Sequence, residues 1–297
     1  MTDNPLAAGE RVRAIPPPTA MVVFGGSGDL AHRKIVPALY NLELHRLLPQ
    51  NFAFVGSSRS EYSDEEYRAD MRKAVEEFSR TEYALALHEG DRLPAERRKE
   101  IAAKVARYSG LSQEYVERTN LRIDIYRFVK ELLRDQGKTV GRLDTRFTGR
   151  DLDAAGESFE YDPASVSVGG PYVAAINDYI RRELEFDSDL VYEFLSRRVQ
   201  PWSFEDSENQ YLNMAEYLRQ AMVRNPDLKV LITAGYYDLA TPYFDSVYTV
   251  DHLGLPPELR GNIRIANYEA GHMMYIRAAD HRKLKQDIVG FLREAMR

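Results

Sequence analysis

The sequence predicts an α/β protein. Its parallel sheet has strands near residues 20–25, 52–56, 229–235 and 263–268, flanked by helices, with a mostly helical cap region near 81–228. Three observations predict this class. Short apolar runs that end in glycine, at Ala20–Gly25 and Lys229–Gly235, read as buried strands. Helix-period segments follow the strands, the βαβ pattern of a parallel sheet. Residues 81–228 switch to helix and loop composition.

In chain order, residues 1–19 carry Asp3, Glu10, Arg11, Arg13 and the run Pro16-Pro17-Pro18 without an apolar core, and read as a flexible arm rather than a signal peptide. Leu30–Leu48 has apolar residues at helical spacing, with Pro37 inside the pattern. Phe52–Gly56 is the second strand. Ser63-Asp64-Glu65-Glu66 is a capping box that starts a helix running to about Arg80. Pro94–Tyr108 and Ser112–Asp135 are amphipathic, Gly141–Val168 is polar loop, and helices are expected at Pro171–Glu183 and Tyr211–Arg224. The last third predicts a strand at Lys229–Gly235, a helix at Tyr243–Leu253, a strand at Ile263–Tyr268 and a helix at His281–Met296.

Composition bounds the chemistry. The chain has 297 residues, a formal charge of -6 and no cysteine. Thiolate nucleophiles, thiolate metal sites and disulfides are therefore excluded. No metal site is read from the sequence. The acidic balance argues against a nucleic-acid partner, and no apolar run reaches the ~18 residues of a membrane span. The expectation is a cytoplasmic protein.

Gly26-Ser27-Gly28-Asp29-Leu30-Ala31 fits G-x-G-x-x-G/A after a strand and before a helix, the setting of a dinucleotide turn. There, glycines let the backbone approach a pyrophosphate, and the helix N-terminus offers free N–H donors. Arg59 follows the second strand, where a basic residue pairs with a 2′-phosphate, so the cofactor expected is NADP. The run Phe24–Ala31, with Arg33-Lys34, Pro37–Leu42 and Phe52–Gly56 through Arg59, resembles the N-terminus of the glucose-6-phosphate dehydrogenase family. The resemblance implies coenzyme contacts from Gly25, Gly28, Asp29 and Leu30, with Arg59 at the 2′-phosphate. It fades near Arg80, before the family's sugar-phosphate and catalytic residues. Leu121–Tyr126 is similar to that family's catalytic segment, but Ile125 stands at the histidine, so it is read as helix.

Near the end, Asp238 lies just past one strand and His272 just past the next, the Asp…His order of an α/β-hydrolase triad. A carboxylate there fixes the imidazole tautomer, and the imidazole takes a proton. Glu114–Arg118, Asn120–Ile123, Val140–Asp144, Arg146–Gly149, Asp153–Ser158, Gly170–Tyr172, Gly235–Pro242 and Asp251–Leu255 resemble the bacterial branch of the serine carboxypeptidase family. That resemblance implies Asp238 and His272 as triad acid and base, and a peptide or small-molecule substrate. The family's elbow serine is missing. Gly156-Glu157-Ser158 mimics it without a preceding strand, and Glu160 stands where a glycine is needed. Ser27, on the glycine turn, is the one structurally plausible nucleophile by chain order, with the Gly28 N–H as oxyanion donor.

The sequence thus reads as a chimera: an arm at 1–19, a Rossmann-like segment at 20–80, and a carboxypeptidase-like segment at 81–297, divided at 228 into cap and sheet portions. Its first expected function is a serine-type peptidase segment that lacks its nucleophile half and needs no cofactor for hydrolysis. The alternative is an NADP-binding module without complete dehydrogenase catalysis.

Overall fold

The computed structural model describes residues 19–24, 35, 39, 52–57 and 63–296. The chain divides into two compact units, residues 1–122 and 123–297. In the first, β1 (Thr19–Phe24) and β2 (Phe52–Ser57) form where the apolar runs predict them. They pair in parallel, from Thr19 opposite Phe52 to Phe24 opposite Ser57. The arm expected at 1–19 lies outside the described residues except for Thr19, which opens β1 instead, and so does the helix over Leu30–Leu48 apart from the isolated positions Ile35 and Leu39.

The capping box forms as predicted. Ser63 Oγ accepts from the Glu66 N–H at 3.2 Å, and Glu66 Oε2 accepts from the Ser63 N–H at 2.7 Å. This starts α1 (Asp64–Phe78). A π-helical turn at Ser79–Tyr83 leads into α2 (Ala84–Glu89), followed by α3 (Ala95–Ser109) and α4 (Gln113–Arg118). Phe78, Ile101, Ala102, Val116 and Leu121 are buried. Phe78 packs on Tyr108 with ring centres 5.3 Å apart, and the Tyr83 hydroxyl donates to the Leu121 carbonyl at 2.5 Å. Ser109-Gly110 ends α3 as a left-handed cap, with Gly110 at φ 79°.

The single helix expected over Ser112–Asp135 is two. Asn120 (φ 53°) and Leu121 (φ 65°) turn left-handed and break it, a conformation no helix propagates through. The segment Leu121–Tyr126, expected as helix, is instead mostly the connection. Asp124 caps the next helix, its carboxylate accepting from the Tyr126 and Arg127 N–H groups.

The second unit begins with α5 (Ile125–Glu131) and a short antiparallel pair, β3 (Thr139–Val140) with β4 (Thr148–Gly149). The polar stretch expected as loop to Val168 gives way earlier to α6 (Pro163–Asp178). Asp162 caps it and Pro163 sits where a missing N–H costs nothing. Pro171 is accommodated inside the helix. Residues 184–214 are mostly irregular, and leave Leu190, Val191, Trp202 and Tyr211 exposed.

Then come α7 (Ala215–Arg224), β5 (Val230–Gly235), α8 (Tyr243–Asp251), α9 (Pro257–Arg260), β6 (Ile263–Tyr268) and α10 (Ala278–Ala295). β5 and β6 pair in parallel, from Val230 opposite Ile263 to Gly235 opposite Tyr268. A parallel pair needs a crossover between its strands, here the α8–α9 segment. Among the described residues, the four predicted strands pair as β1 with β2 in the first unit and β5 with β6 in the second. Two clusters pack around β5–β6. One is Ala266, Tyr268, Ala270 and Met274 with Leu231 and Leu284; the other centres on Met222, Leu253 and Leu255. The buried Tyr268 hydroxyl donates to Asp287 at 2.9 Å, and burial beside that carboxylate pushes its pKa up. Among the described residues no helix is long and apolar enough to cross a membrane.

Candidate functional site

The parallel register of β5 and β6 sends both strands out of the same edge, so the segments that follow them lie side by side. Tyr236 and Tyr237 donate backbone N–H bonds to the carbonyls of Tyr268 and Ala270, at 3.0 Å each. Gly235 is required at this approach, because a β-carbon there would overlap the carbonyl oxygens of Ala270 and Gly271. Asp238 follows on one side and His272 on the other.

Asp238 is 4% exposed, and four donors surround its carboxylate. Oδ1 accepts from the N–H groups of Ala240 (2.7 Å) and Thr241 (3.1 Å). Oδ2 accepts from the Thr241 hydroxyl at 2.6 Å and meets His272 Nδ1 at 2.8 Å. A carboxylate so placed only accepts, which puts the imidazole proton on Nδ1. Thr241 Oγ1 also lies 3.2 Å from Nδ1, and having given its proton to Asp238 it faces the ring as an acceptor. The His272 side chain is 44% exposed, and among the described residues no hydrogen bond engages Nε2. The arrangement leaves Nε2 as the acceptor nitrogen of a part-exposed ring and backs that ring with a buried carboxylate.

A third segment joins them. Thr145 N–H donates to the Tyr237 carbonyl, Leu239 N–H to the Arg142 carbonyl, and His272 N–H to the Leu143 carbonyl at 2.7 Å. Gly271 N–H donates to Asp144 Oδ2 at 3.0 Å. Arg146 binds the Asp144 carboxylate with Nε and Nη2 and reaches the Glu269 carbonyl with Nη1 at 2.7 Å. The bonds it donates to Asp144 hold the Arg146 guanidinium pKa above its ordinary value.

Of the residues expected at a site, the structure brings together Asp238 and His272. Ser27, Gly25, Gly28, Asp29, Leu30 and Arg59 lie outside the described residues. Ser158 sits exposed in an irregular loop, as its lack of a preceding strand predicts. Sequence reasoning missed Thr241 and the Arg142–Arg146 segment. The Asp-x-x-Thr spacing, which suits a side-chain turn, is the one sequence signal for Thr241.

Residues 22–127 match the family model described as glucose-6-phosphate dehydrogenase, NAD binding domain. A glucose-6-phosphate 1-dehydrogenase of Chlamydia muridarum is 49% identical over 63 residues, 21% of this chain and 12% of that protein. Glucose-6-phosphate 1-dehydrogenase 2 of Mycobacterium bovis is 39% identical over 74 residues, 25% of this chain and 14% of its own length. The chloroplastic enzyme of Spinacia oleracea is 46% identical over 59 residues, 20% of this chain and 10% of that one. The chain thus spans about an eighth of the length of the curated relatives it matches. No solved structure matches it.

The N-terminal part of the chain is therefore similar to a NAD(P)-binding domain, as the glycine turn predicts. The same findings overturn the designation as a hydrolase, peptidase or serine carboxypeptidase, because the matching family and relatives are dehydrogenases. The carboxypeptidase resemblance of residues 81–297, the peptide substrate and the chimera have no support in these matches. The physical reason is plain: an aspartate after one strand and a histidine after the next specify a hydrogen-bonded pair, and that pair alone does not define a reaction.

Proposed function

We propose that residues 20–80 form an NADP-binding segment of the dehydrogenase type. The observation that carries this reading is the in-register pairing of Phe24 with Ser57. The chain leaves both strands at the same edge: Gly25 follows Phe24 directly, and Arg59 follows Ser57 by two positions. Dinucleotide sites lie in general at the carboxyl ends of adjacent parallel strands, and these are the residues that follow those ends in the sequence. Gly25, Gly28, Asp29 and Leu30 would hold the pyrophosphate through backbone N–H groups, and Arg59 the 2′-phosphate through charge-assisted bonds. NADP, when bound, supplies a hydride carrier. Calorimetric titration tests the reading. Arg59→Ala weakens NADP by about 10- to 100-fold, the worth of a bond to a charged group, and leaves NAD unchanged. Equal NADP affinity in the two proteins overturns it.

A second reading concerns the second unit, and the 2.8 Å contact between His272 Nδ1 and Asp238 Oδ2 favours it. We infer that Asp238 and His272 are an acid–base pair, with Asp238 orienting the ring and His272 Nε2 accepting a proton. Nitrogen-15 NMR of the imidazole reads this directly. The neutral ring is protonated at Nδ1 and bare at Nε2, and Asp238→Asn moves the population towards the Nε2–H form. A wild-type ring protonated mainly at Nε2 removes the pair.

A further inference from the structure

The Asp238–His272 pair rests on two loops that are joined to each other at their bases and again by the Arg142–Arg146 segment. That segment bonds each loop twice or more. To the Asp238 loop it gives the Thr145 N–H and the Arg142 carbonyl, on either side of the aspartate at Tyr237 and Leu239. To the His272 loop it gives the Leu143 carbonyl, the Asp144 carboxylate and the Arg146 guanidinium, at His272, Gly271 and Glu269 in turn. The Asp238 loop is thus held on both sides of its aspartate, and the His272 loop at the histidine and at two of the three residues before it.

The contact is close as well as hydrogen-bonded. A β-carbon on Gly271 would overlap Asp144 Cβ and the Leu143 carbonyl oxygen, so the two backbones touch with no side chain between them. Asp144 is 2% exposed and both its oxygens are occupied. Oδ1 accepts from the Arg146 N–H and Nε at 3.0 Å each, and Oδ2 from Arg146 Nη2 at 2.7 Å and Gly271 N–H at 3.0 Å. The strap is anchored in turn at the head of α6, where the Leu143 N–H donates to Asp162 Oδ2 at 3.0 Å. Asp162 also caps that helix. The head of α6 therefore connects to the His272 N–H through the Asp162 carboxylate and Leu143, while the Asp144 carboxylate holds the adjoining Gly271 N–H.

We propose that Asp144 is the positioning residue of the Asp238–His272 pair. It touches neither side chain. It fixes Gly271 N–H while its neighbour Leu143 fixes His272 N–H, and together these set the backbone from which the imidazole reaches Asp238 with Nε2 turned to solvent. The proposal rests on the acid–base reading above, and its test separates the two.

The full chain, with histidine side chains nitrogen-15 labelled, is compared as wild type, Asp144→Ala, Asp144→Asn and Arg146→Gln. In the wild type the His272 Nδ1–H is observed. In Asp144→Ala its exchange with water is about tenfold faster, in line with losing one bond to a charged group, and the Nε2–H tautomer appears. Asp144→Asn keeps one side-chain acceptor for Gly271 and restores most of the wild-type signal. Arg146→Gln loosens the strap with Asp144 in place and moves the signal the same way by less. It also decides the matter if Asp144→Ala does not fold. Dispersed β5 and β6 amide resonances certify that each variant is native. A wild-type Nδ1–H signal that is unchanged in the native-like strap variants overturns the positioning role and leaves the pair. A wild-type ring without Nδ1–H overturns the pair itself.

Discussion

Lys130 and Asp151 are both nearly sealed from solvent, with side-chain exposures of 3% and 1%. Lys130 Nζ donates to Asp151 Oδ2 and to the Asp153 carbonyl, and the Thr139 hydroxyl donates to the same carboxylate at 2.8 Å. A buried pair of this kind gains little over apolar residues of the same volume, but breaking it strands a charge. Lys130→Ala therefore costs about 3–5 kcal/mol in urea unfolding, whereas Lys130→Met with Asp151→Leu recovers only part of that loss, because the Thr139 hydroxyl and the Glu160 N–H lose their acceptor. Burial pushes the Asp151 carboxyl up, but the bonds from Lys130, Thr139 and the Glu160 N–H outweigh it and hold it below its ordinary 3.8. A lowered carboxylate pKa contributes stability above the unfolded value and loses it as pH falls through the folded value. The second unit of the wild type accordingly weakens below about pH 4, and the double variant lacks that component. If both titrate alike, Asp151 is not the group responsible.

At the scale of elements, the helix heads carry more than helix stability. Asp162 caps α6 through the Ala164 and Ser165 N–H groups and holds the Leu143 N–H as well. Asp162→Ala is expected to cost more than the ~1 kcal/mol of an ordinary cap, because the Leu143 donor is left unpaired too. Asp124→Ala, which removes a cap alone, gives the comparison, and equal costs in thermal unfolding would rule out the second role. These elements also mark what the sequence made legible. β5 and β6 were readable because apolar runs bounded by turn residues admit one interpretation at that length. The Ser63 box was readable because both of its partners lie within four residues. The break at Asn120-Leu121 was not, because apolar positions keep a helical period on either side of it. The start of α6 was hidden because Gly141–Val168 reads as polar loop and Pro171 as the first residue of the next helix, although Asp162-Pro163 is a valid cap signal. The Asp238–His272 pair was legible from its place after two strands. The strap that holds it was not, because most of its bonds run through backbone and all of them join residues far apart along the chain.

For the molecule as a whole, two compact units with separate sheets imply two unfolding events. Calorimetry of the full chain is expected to show two transitions. NADP at about 100 times its dissociation constant stabilises one of them by about 2.7 kcal/mol, and Arg59→Ala removes that shift. A single transition, or one in which NADP moves both units together, contradicts independent units. The second unit also carries the exposed apolar run from Leu184 to Tyr217, which includes Phe186, Leu195 and Trp202. Exposed apolar surface of this extent raises the tendency to self-associate as protein concentration increases.

The strap has a consequence in time as well as in space. Its bonds to Gly271 and Glu269 close loops of 127 and 123 residues. Contacts so distant along the chain are slow to find. Local helices such as α10 can form early in refolding, but on the positioning role proposed above the imidazole is held firmly on its carboxylate only once β5, β6 and Arg142–Arg146 have met. The His272 Nδ1 proton is therefore a clock for the second unit: its protected resonance is expected to emerge after helical signal has returned.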